Sequence, residues 1–226
     1  MKLSDRTLGV LKNFSTINPS IAFKQGNTVS TVSSLKNVLA DAVIEETIPK
    51  DFCIYDLNNF LSLVSLFKDG ADLEFDDNHV IIVGMGGRSK IKYRFTSPTM
   101  IVAAPDKRPN LPSVDVKFTL TEKDFTWLIR TANVLGSTNI AIESDGTEVK
   151  LITFEASNDS AHSNALALEN VDPEGHSFKL VFKTENLKMI PGEYVVEICS
   201  KGISKFSDNN NGLTYYVTLE TSSTYS

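Results

Sequence analysis

Three histidines (His79, His162 and His176) and two cysteines (Cys53 and Cys199) are the side chains best suited to bind a metal or act as base and nucleophile. Zinc sites bring such ligands together at short, regular spacings, and a catalytic Ser or Cys needs a base within hydrogen-bond reach. Neither pattern is present: the histidines are far apart in sequence, and neither cysteine has a histidine at ligand spacing. The histidines read as loop or edge residues, and the cysteines as small buried hydrophobes in a reducing cytoplasm. The stretch Gly84-Met85-Gly86-Gly87-Arg88-Ser89-Lys90 invites comparison with a phosphate-binding loop. It lacks the Walker spacing and leads into an alternating strand rather than a helix, so a hairpin turn is expected. The acidic pairs Glu45-Glu46 and Asp76-Asp77 read as solvated turn residues. The sequence therefore predicts no catalytic residue, no metal site, no cofactor and no enzyme.

What remains is the placement of charge. The chain has 226 residues, 24.9 kDa and a net charge of −6. That balance argues against gripping nucleic acid with the whole surface, but leaves room for a local basic face. Over the four stretches read below as helical, residues 2–17 carry +2, 54–68 and 121–136 carry zero, and 183–190 carry +1. The helical segments sum to +3 and the rest of the chain to −9. Mildly basic helices thus sit in a decidedly acidic chain.

The elements that must carry these charges follow a repeated plan. Ser4 caps a first helix running to about Ile17, with Leu3, Leu8, Val10, Leu11, Phe14 and Ile17 on one broad face. Asn18-Pro19 stops it. Strands are expected at 22–24, 28–33, 38–45 and 52–55, before a second cap at Asp56 opens a strongly apolar helix over 57–67, closed by Asp69-Gly70. Strands follow at 73–75, 80–83 and 90–95, and residues 100–103 are expected to extend the sheet. The segment 104–113, with three prolines, reads as a connector between an N-terminal domain over 1–103 and a C-terminal domain over 114–226. After a strand at 114–118, Thr121 caps a third helix with a core face of Phe125, Leu128, Ile129, Ala132 and Leu135, ended by Gly136. Trp127 and Val134 lie off that face beside Arg130, where a neighbour or a subunit contact would cover the tryptophan.

Further strands are expected at 139–143, 149–155, 161–168 and 177–183, with turns at Asp145-Gly146 and Asn158-Asp159. Thr184 then reads as the fourth cap, its helix ended by Pro191-Gly192, before strands at 194–200, 203–206 and 213–220. The caps at 4, 56, 121 and 184 are spaced by 52, 65 and 63 residues. The fold expected is α+β: two similar domains, each of two strand–helix–three-strand units, with helices on one face of antiparallel sheets. No segment approaches the roughly 20 apolar residues of a membrane span. Asp5, Arg6 and Lys12 interrupt any signal-like apolar run.

The residues also carry a family resemblance. Met1-Lys2-Leu3-Ser4, Leu11-Lys12-Asn13-Phe14 and Thr16-Ile17-Asn18 resemble the start of the sliding clamps of T-even-type bacteriophage DNA polymerases. Ile54-Tyr55-Asp56-Leu57-Asn58 with Phe60-Leu61 and Leu66 matches their middle. Asn186-Leu187-Lys188-Met189, Pro191-Gly192, Ser200-Lys201-Gly202, Lys205-Phe206, Tyr216-Val217 and Leu219-Glu220 match their end. The resemblance implies the sliding-clamp (DNA clamp) fold, a head-to-tail homotrimeric ring with its helices lining the hole, and a processivity factor in viral DNA replication. Such a ring encircles double-stranded DNA without sequence readout, is placed there by an ATP-driven clamp loader, and tethers the replicative DNA polymerase. It also implies late-transcription factors as partners and the cytoplasm of the infected bacterial host as location, with no membrane association. Carried onto this sequence, Lys2, Arg6, Lys12, Lys123, Arg130 and Lys188 face DNA through water-mediated phosphate contacts. Leu111, Pro112 and Tyr216 are expected at the rim of a pocket for a partner peptide.

Enclosure fits the charge pattern, because a protein gripping DNA through six to ten phosphates loses roughly 10³–10⁵ in affinity between low and moderate salt. Asp5, Asp124 and the zero net charge of the third helix cut against a strongly basic lining. The competing reading is a β-rich structural or assembly protein of a virion, which needs no fourfold capped-helix pattern and no activity on DNA. A ligand-binding β-barrel is disfavoured by the four helices.

Overall fold

The structure, a computed structural model, describes every residue except Lys68, Asp69, Asp159 and Asn170. The turn residues Asp69 and Asp159 assigned from sequence therefore lie outside the described residues. The chain divides into two compact units, one of residues 1–107 with 211–213, the other of 108–210 with 214–226.

The first unit opens with helix α1 (Asp5–Ile17). The Ser4 hydroxyl accepts the Thr7 amide, which satisfies one of the orphan donors of the first turn, and Val10, Leu11 and Phe14 are buried. Strands β1 (Ile21–Phe23), β2 (Gly26–Val32), β3 (Val38–Ile48) and β4 (Phe52–Ile54) follow. Strand β1 pairs antiparallel with β4, and β2 with β3. Asp56 then caps α2 (Leu57–Ser65) through the Asn59 amide, and Leu57, Phe60, Leu61 and Val64 are buried. An antiparallel sheet of β5 (Asp72–Phe75), β6 (His79–Gly84) and β7 (Ser89–Arg94) completes the unit, and the Gly84–Lys90 stretch contains, at 85–88, the hairpin turn between its last two strands. At Gly84 the backbone lies against the Phe67 ring: a Cβ there would sit 2.0 Å from a ring carbon, so any larger residue requires that ring to move. Asn18 closes α1 with a fully used buried amide. Its nitrogen donates to the Val32 and Val102 carbonyls at 2.8 and 3.0 Å, and its oxygen accepts from the Ser20 amide and hydroxyl.

The second unit repeats the plan. Strand β8 (Val116–Leu120) leads to α3 (Glu122–Leu135), capped by the Thr121 hydroxyl on the Asp124 amide and ended by Gly136 at φ 67°. A five-stranded sheet runs in the order β11 (Asn164–Ala167), β10 (Val149–Phe154), β9 (Asn139–Asp145), β12 (Ser177–Lys183) and β16 (Thr224–Tyr225). Strand β8 continues a second antiparallel run with β13 (Tyr194–Cys199), β14 (Ile203–Asp208) and β15 (Leu213–Thr218). The helical layer packs on one side of the strands. In the first unit α1 lies against α2, β2 and β3, and in the second α3 lies against β10 and β11. The repeat shows in one recurring bond: the Leu57 amide donates to the Pro19 carbonyl in the first unit, and the Thr184 amide to the Thr138 carbonyl in the second.

Two expectations are corrected. The fourth helix is a single 3₁₀ turn, Thr184–Leu187, and Lys183 precedes it without a side-chain cap. The Thr184 hydroxyl donates instead to the Ser137 carbonyl at 2.8 Å. Pro191 keeps Ile190 out of the α region, which leaves too few residues to repay helix nucleation. The expected strand at 100–103 is also absent: Ser97-Pro98 opens a 3₁₀ turn, Pro98–Met100, and residues 101–103 are irregular. There are thus three α-helices among the described residues, and the four-unit plan holds with one helix reduced to a turn.

Candidate nucleic-acid and partner interfaces

The residues first considered for chemistry do not converge. Cys53 and Cys199 are buried and free. His79 touches the Asp76 carboxylate at 3.2 Å, His176 lies 3.2 Å from the Ser226 carbonyl, and His162 is exposed. No group of three or more His, Cys, Asp or Glu side chains is placed to hold a metal among the described residues.

The helices carry the surface of interest. On α1 the exposed positions Asp5, Gly9, Lys12 and Thr16 form one stripe, and Lys2 is exposed just before it. The exposed face of α2 is uncharged, made of Asn58, Asn59, Ser62 and Ser65. Its serine hydroxyls turn back onto the Asn58 and Ser62 carbonyls at 2.8 Å. On α3, Lys123, Trp127, Arg130 and Val134 recur at i, i+4, i+7 and i+11, so they share one exposed stripe. Trp127 is 52% exposed and Val134 79%.

Arg6 is placed differently from the other basic residues expected to face DNA. Its Nη1 donates to the Val43 carbonyl at 2.8 Å and its Nη2 to the Asn211 carbonyl. Lys188 is exposed beside the 3₁₀ turn, where it lines a groove of about 590 Å³ with Lys183, Asn133 and Glu185. Lys183 had no motif to single it out. It closes β12 on the exposed side, the position that the alternation of Phe178, Leu180 and Phe182 leaves outward. Lys123 and Arg130 line a different groove, of about 1000 Å³, whose apolar wall is Trp127 with Leu166 and Leu168. Leu111 and Tyr216 are half-buried and Pro112 is exposed, and none of the three lines either groove.

At the N-terminal end of α1, beside Arg6, the Glu46 carboxylate accepts from the Ser4 amide and the Thr7 hydroxyl. Burial alone would raise the pKa of this acid, but the Thr7 and Ser4 hydrogen bonds outweigh it, and the net shift is downward. A depressed carboxyl stabilises the fold above its unfolded pKa of about 4.5, and that contribution disappears as pH falls through the folded value. Glu46→Gln should therefore cost about 1 kcal/mol of unfolding free energy at pH 7. The cost should shrink below pH ~4, as urea titrations at the two pH values would show. An equal cost at both would remove the carboxylate from the account.

Known proteins place this geometry. Residues 3–103 match the family model described as DNA polymerase processivity factor, and residues 117–221 match that of the gp45 sliding clamp, C terminal. The sliding clamp of Enterobacteria phage T4 is 32% identical over 232 residues, covering 100% of this chain and 99% of the relative. The chain belongs to the sliding-clamp family of DNA polymerase processivity factors. The sliding clamp of Vibrio phage KVP40 is 31% identical over 97% of this chain and 99% of its own. Among solved structures, the PCNA2–PCNA3 complex of Sulfolobus tokodaii superposes with a TM-score of 0.67 at 18% identity, over 97% of this chain and 99% of that one. The DNA polymerase III subunit beta of Pseudomonas aeruginosa gives 0.68 at 11% identity, over 96% of this chain and 63% of that one. At such identities these two show the shared sliding-clamp fold, with its sheets backing a layer of helices.

Proposed function

We propose that three copies of this clamp close head to tail into a ring around duplex DNA. The domains over 1–103 and 114–226, joined by the connector 104–113, act as its repeating segments. The ring tethers the replicative polymerase after an ATP-driven loader has opened it, in the cytoplasm of the infected bacterial cell, and it holds the polymerase without catalysing a reaction.

The observation that carries this reading is the Trp127 groove. A half-exposed tryptophan beside the edge strand β11 is a costly surface for a lone subunit to keep in water. Its lining carries Glu122, Asp124 and Glu169 against Lys123 and Arg130, which leaves it net negative by one charge. Strand β7 ends the other unit's three-stranded sheet and exposes Lys90, Lys92 and Arg94. Two different edges of opposite charge on one chain suit a heterologous contact, which closes into a ring when the rotation allows.

Within such a ring Lys2, Lys12 and Lys188, joined by Lys183, face the phosphates, with Lys123 and Arg130 on the rim shared with the subunit contact. The uncharged face of α2 supports enclosure, since it adds no cation that would pin the duplex. Leu111, Pro112 and Tyr216 form the rim for a partner's peptide, and late-transcription factors use the same surface. Native mass measured by light scattering across a dilution series tests the ring. A species near three times 24.9 kDa that dissociates on dilution is expected. A monomer at every concentration would sink it.

A further inference from the structure

The first turn of α1 is bolted to β3 from two sides. On one flank the Glu46 carboxylate takes the Ser4 amide and the Thr7 hydroxyl, while the Ser4 hydroxyl takes the Thr7 amide at 3.2 Å. Thr7 is fully buried by this arrangement. On the other flank the Arg6 guanidinium spans two carbonyls, Val43 on the same strand and Asn211, using one terminal nitrogen for each. The planar fork offers each carbonyl its own nitrogen in fixed geometry, whereas a lysine's three donors share one nitrogen on a flexible stem and hold two separate acceptors less rigidly. Lys12, the exposed cation of the helix, lies one turn beyond this anchored turn, and Lys2 lies just before the helix begins. The direction of Lys12 is set by the rotation of α1 about its own axis, and that rotation is what the two flanking anchors fix.

We infer that Arg6 is a positioning residue: it holds the rotation of α1 so that Lys12 meets the phosphates, and makes no phosphate contact of its own. The inference rests on the reading that α1 faces DNA. It separates two roles that a basic residue on a lining helix could play. A phosphate contact needs a positive charge, so Arg6→Lys would preserve it. A strut that fixes rotation needs the fork's two separate nitrogens, so Arg6→Lys keeps the charge and still loses the rigid strut.

The test uses the assembled full-length protein. Binding of a short fluorescent duplex is followed by anisotropy between about 50 and 200 mM salt, and amide hydrogen exchange is followed at Thr7 and Leu8. Arg6→Lys and Arg6→Gln should weaken duplex binding by the same factor, about 3- to 10-fold, and both should speed exchange of those amides about 10-fold or more. Duplex binding by Arg6→Lys at the wild-type level, with Arg6→Gln impaired, would overturn the inference, because charge alone would then suffice. Unchanged exchange in both variants would overturn it equally. Lys12→Gln supplies the separate check on the underlying reading. It should lower the slope of log affinity against log salt by about one for each phosphate no longer neutralised. A slope that Lys12→Gln does not move would remove α1 from the DNA surface and take the inference with it. A slope that moves, with Arg6→Lys fully active, would remove the inference alone.

Discussion

Trp127→Ala should raise the concentration at which the clamp dissociates on the order of 100-fold, because a loss of roughly 2 kcal/mol falls on each of the ring's three interfaces. Trp127 is the one tryptophan in the chain, and no packing within its own unit covers half of its surface. It stands on the same helical stripe as Val134, which is 79% exposed, and faces Leu166 and Leu168 across the groove beside β11. Large aromatic side chains enclosed at the centre of an interface are where truncation costs most, because it removes apolar packing and readmits water. Trp127→Phe should keep most of the affinity. The residue also reports on itself: in the wild-type protein its emission should shift to the blue as concentration rises through assembly, in step with the light-scattering mass. If Trp127→Ala dissociates at the wild-type concentration, the groove is not where subunits meet. An emission maximum that stays fixed while the mass triples would say the same.

Much of this architecture is written locally. The side-chain caps Ser4, Asp56 and Thr121 each accept the amide three residues on, and each opens a helix, because these short polar groups satisfy a donor the first turn leaves orphaned. Gly136 ends α3 in the left-handed region, which a glycine enters without steric cost. The period-two run of Phe178, Leu180 and Phe182 forms the buried face of β12. Local signals fail where tertiary partners decide. Thr184 has the chemistry of a cap, but the Ser137 carbonyl lies within reach of its hydroxyl, and Pro191 shortens the helix it would have opened. Ser97-Pro98 signals a turn, and the apolar residues after it mask that signal in the sequence.

The interfaces are less legible than the fold, for a related reason. Periodicity assigns a side chain to the exposed face of its helix, but not to what crosses that face. Arg6, Lys12 and Arg130 look alike in sequence. The structure gives the first to two carbonyls, leaves the second on an open stripe, and sets the third at the edge of an apolar groove. Lys183 contributes to the basic charge of the 183–190 stretch, but the structure gives that charge to the end of β12 rather than to a helix.

Tyr194→Ala should destabilise the second unit by about 3–5 kcal/mol, a large share of what a domain of this size has to lose. The side chain is fully buried, and its ring meets Phe125 of α3 at 5.8 Å, Tyr215 at 6.1 Å and Phe206 at 6.4 Å, all edge to face. It therefore ties the helix that carries Trp127 and Arg130 to strands β13, β14 and β15. Its hydroxyl donates to the Ile190 carbonyl, and the Tyr215 hydroxyl accepts the Ile190 amide at 3.3 Å. Two buried phenols thus satisfy both polar groups of the residue just before Pro191, where regular structure has stopped. Burial pushes both phenols far above the ordinary tyrosine pKa, so they stay protonated and their contribution is flat across the neutral range. Tyr194→Phe keeps the ring contacts and leaves the Ile190 carbonyl short of a donor, and should cost only about 1–2 kcal/mol. Denaturant unfolding of the two variants separates packing from hydrogen bonding. A Phe variant as unstable as the Ala variant would assign the energy to the hydroxyl, and α3 would then be held by the turn before Pro191 rather than by the aromatic cluster.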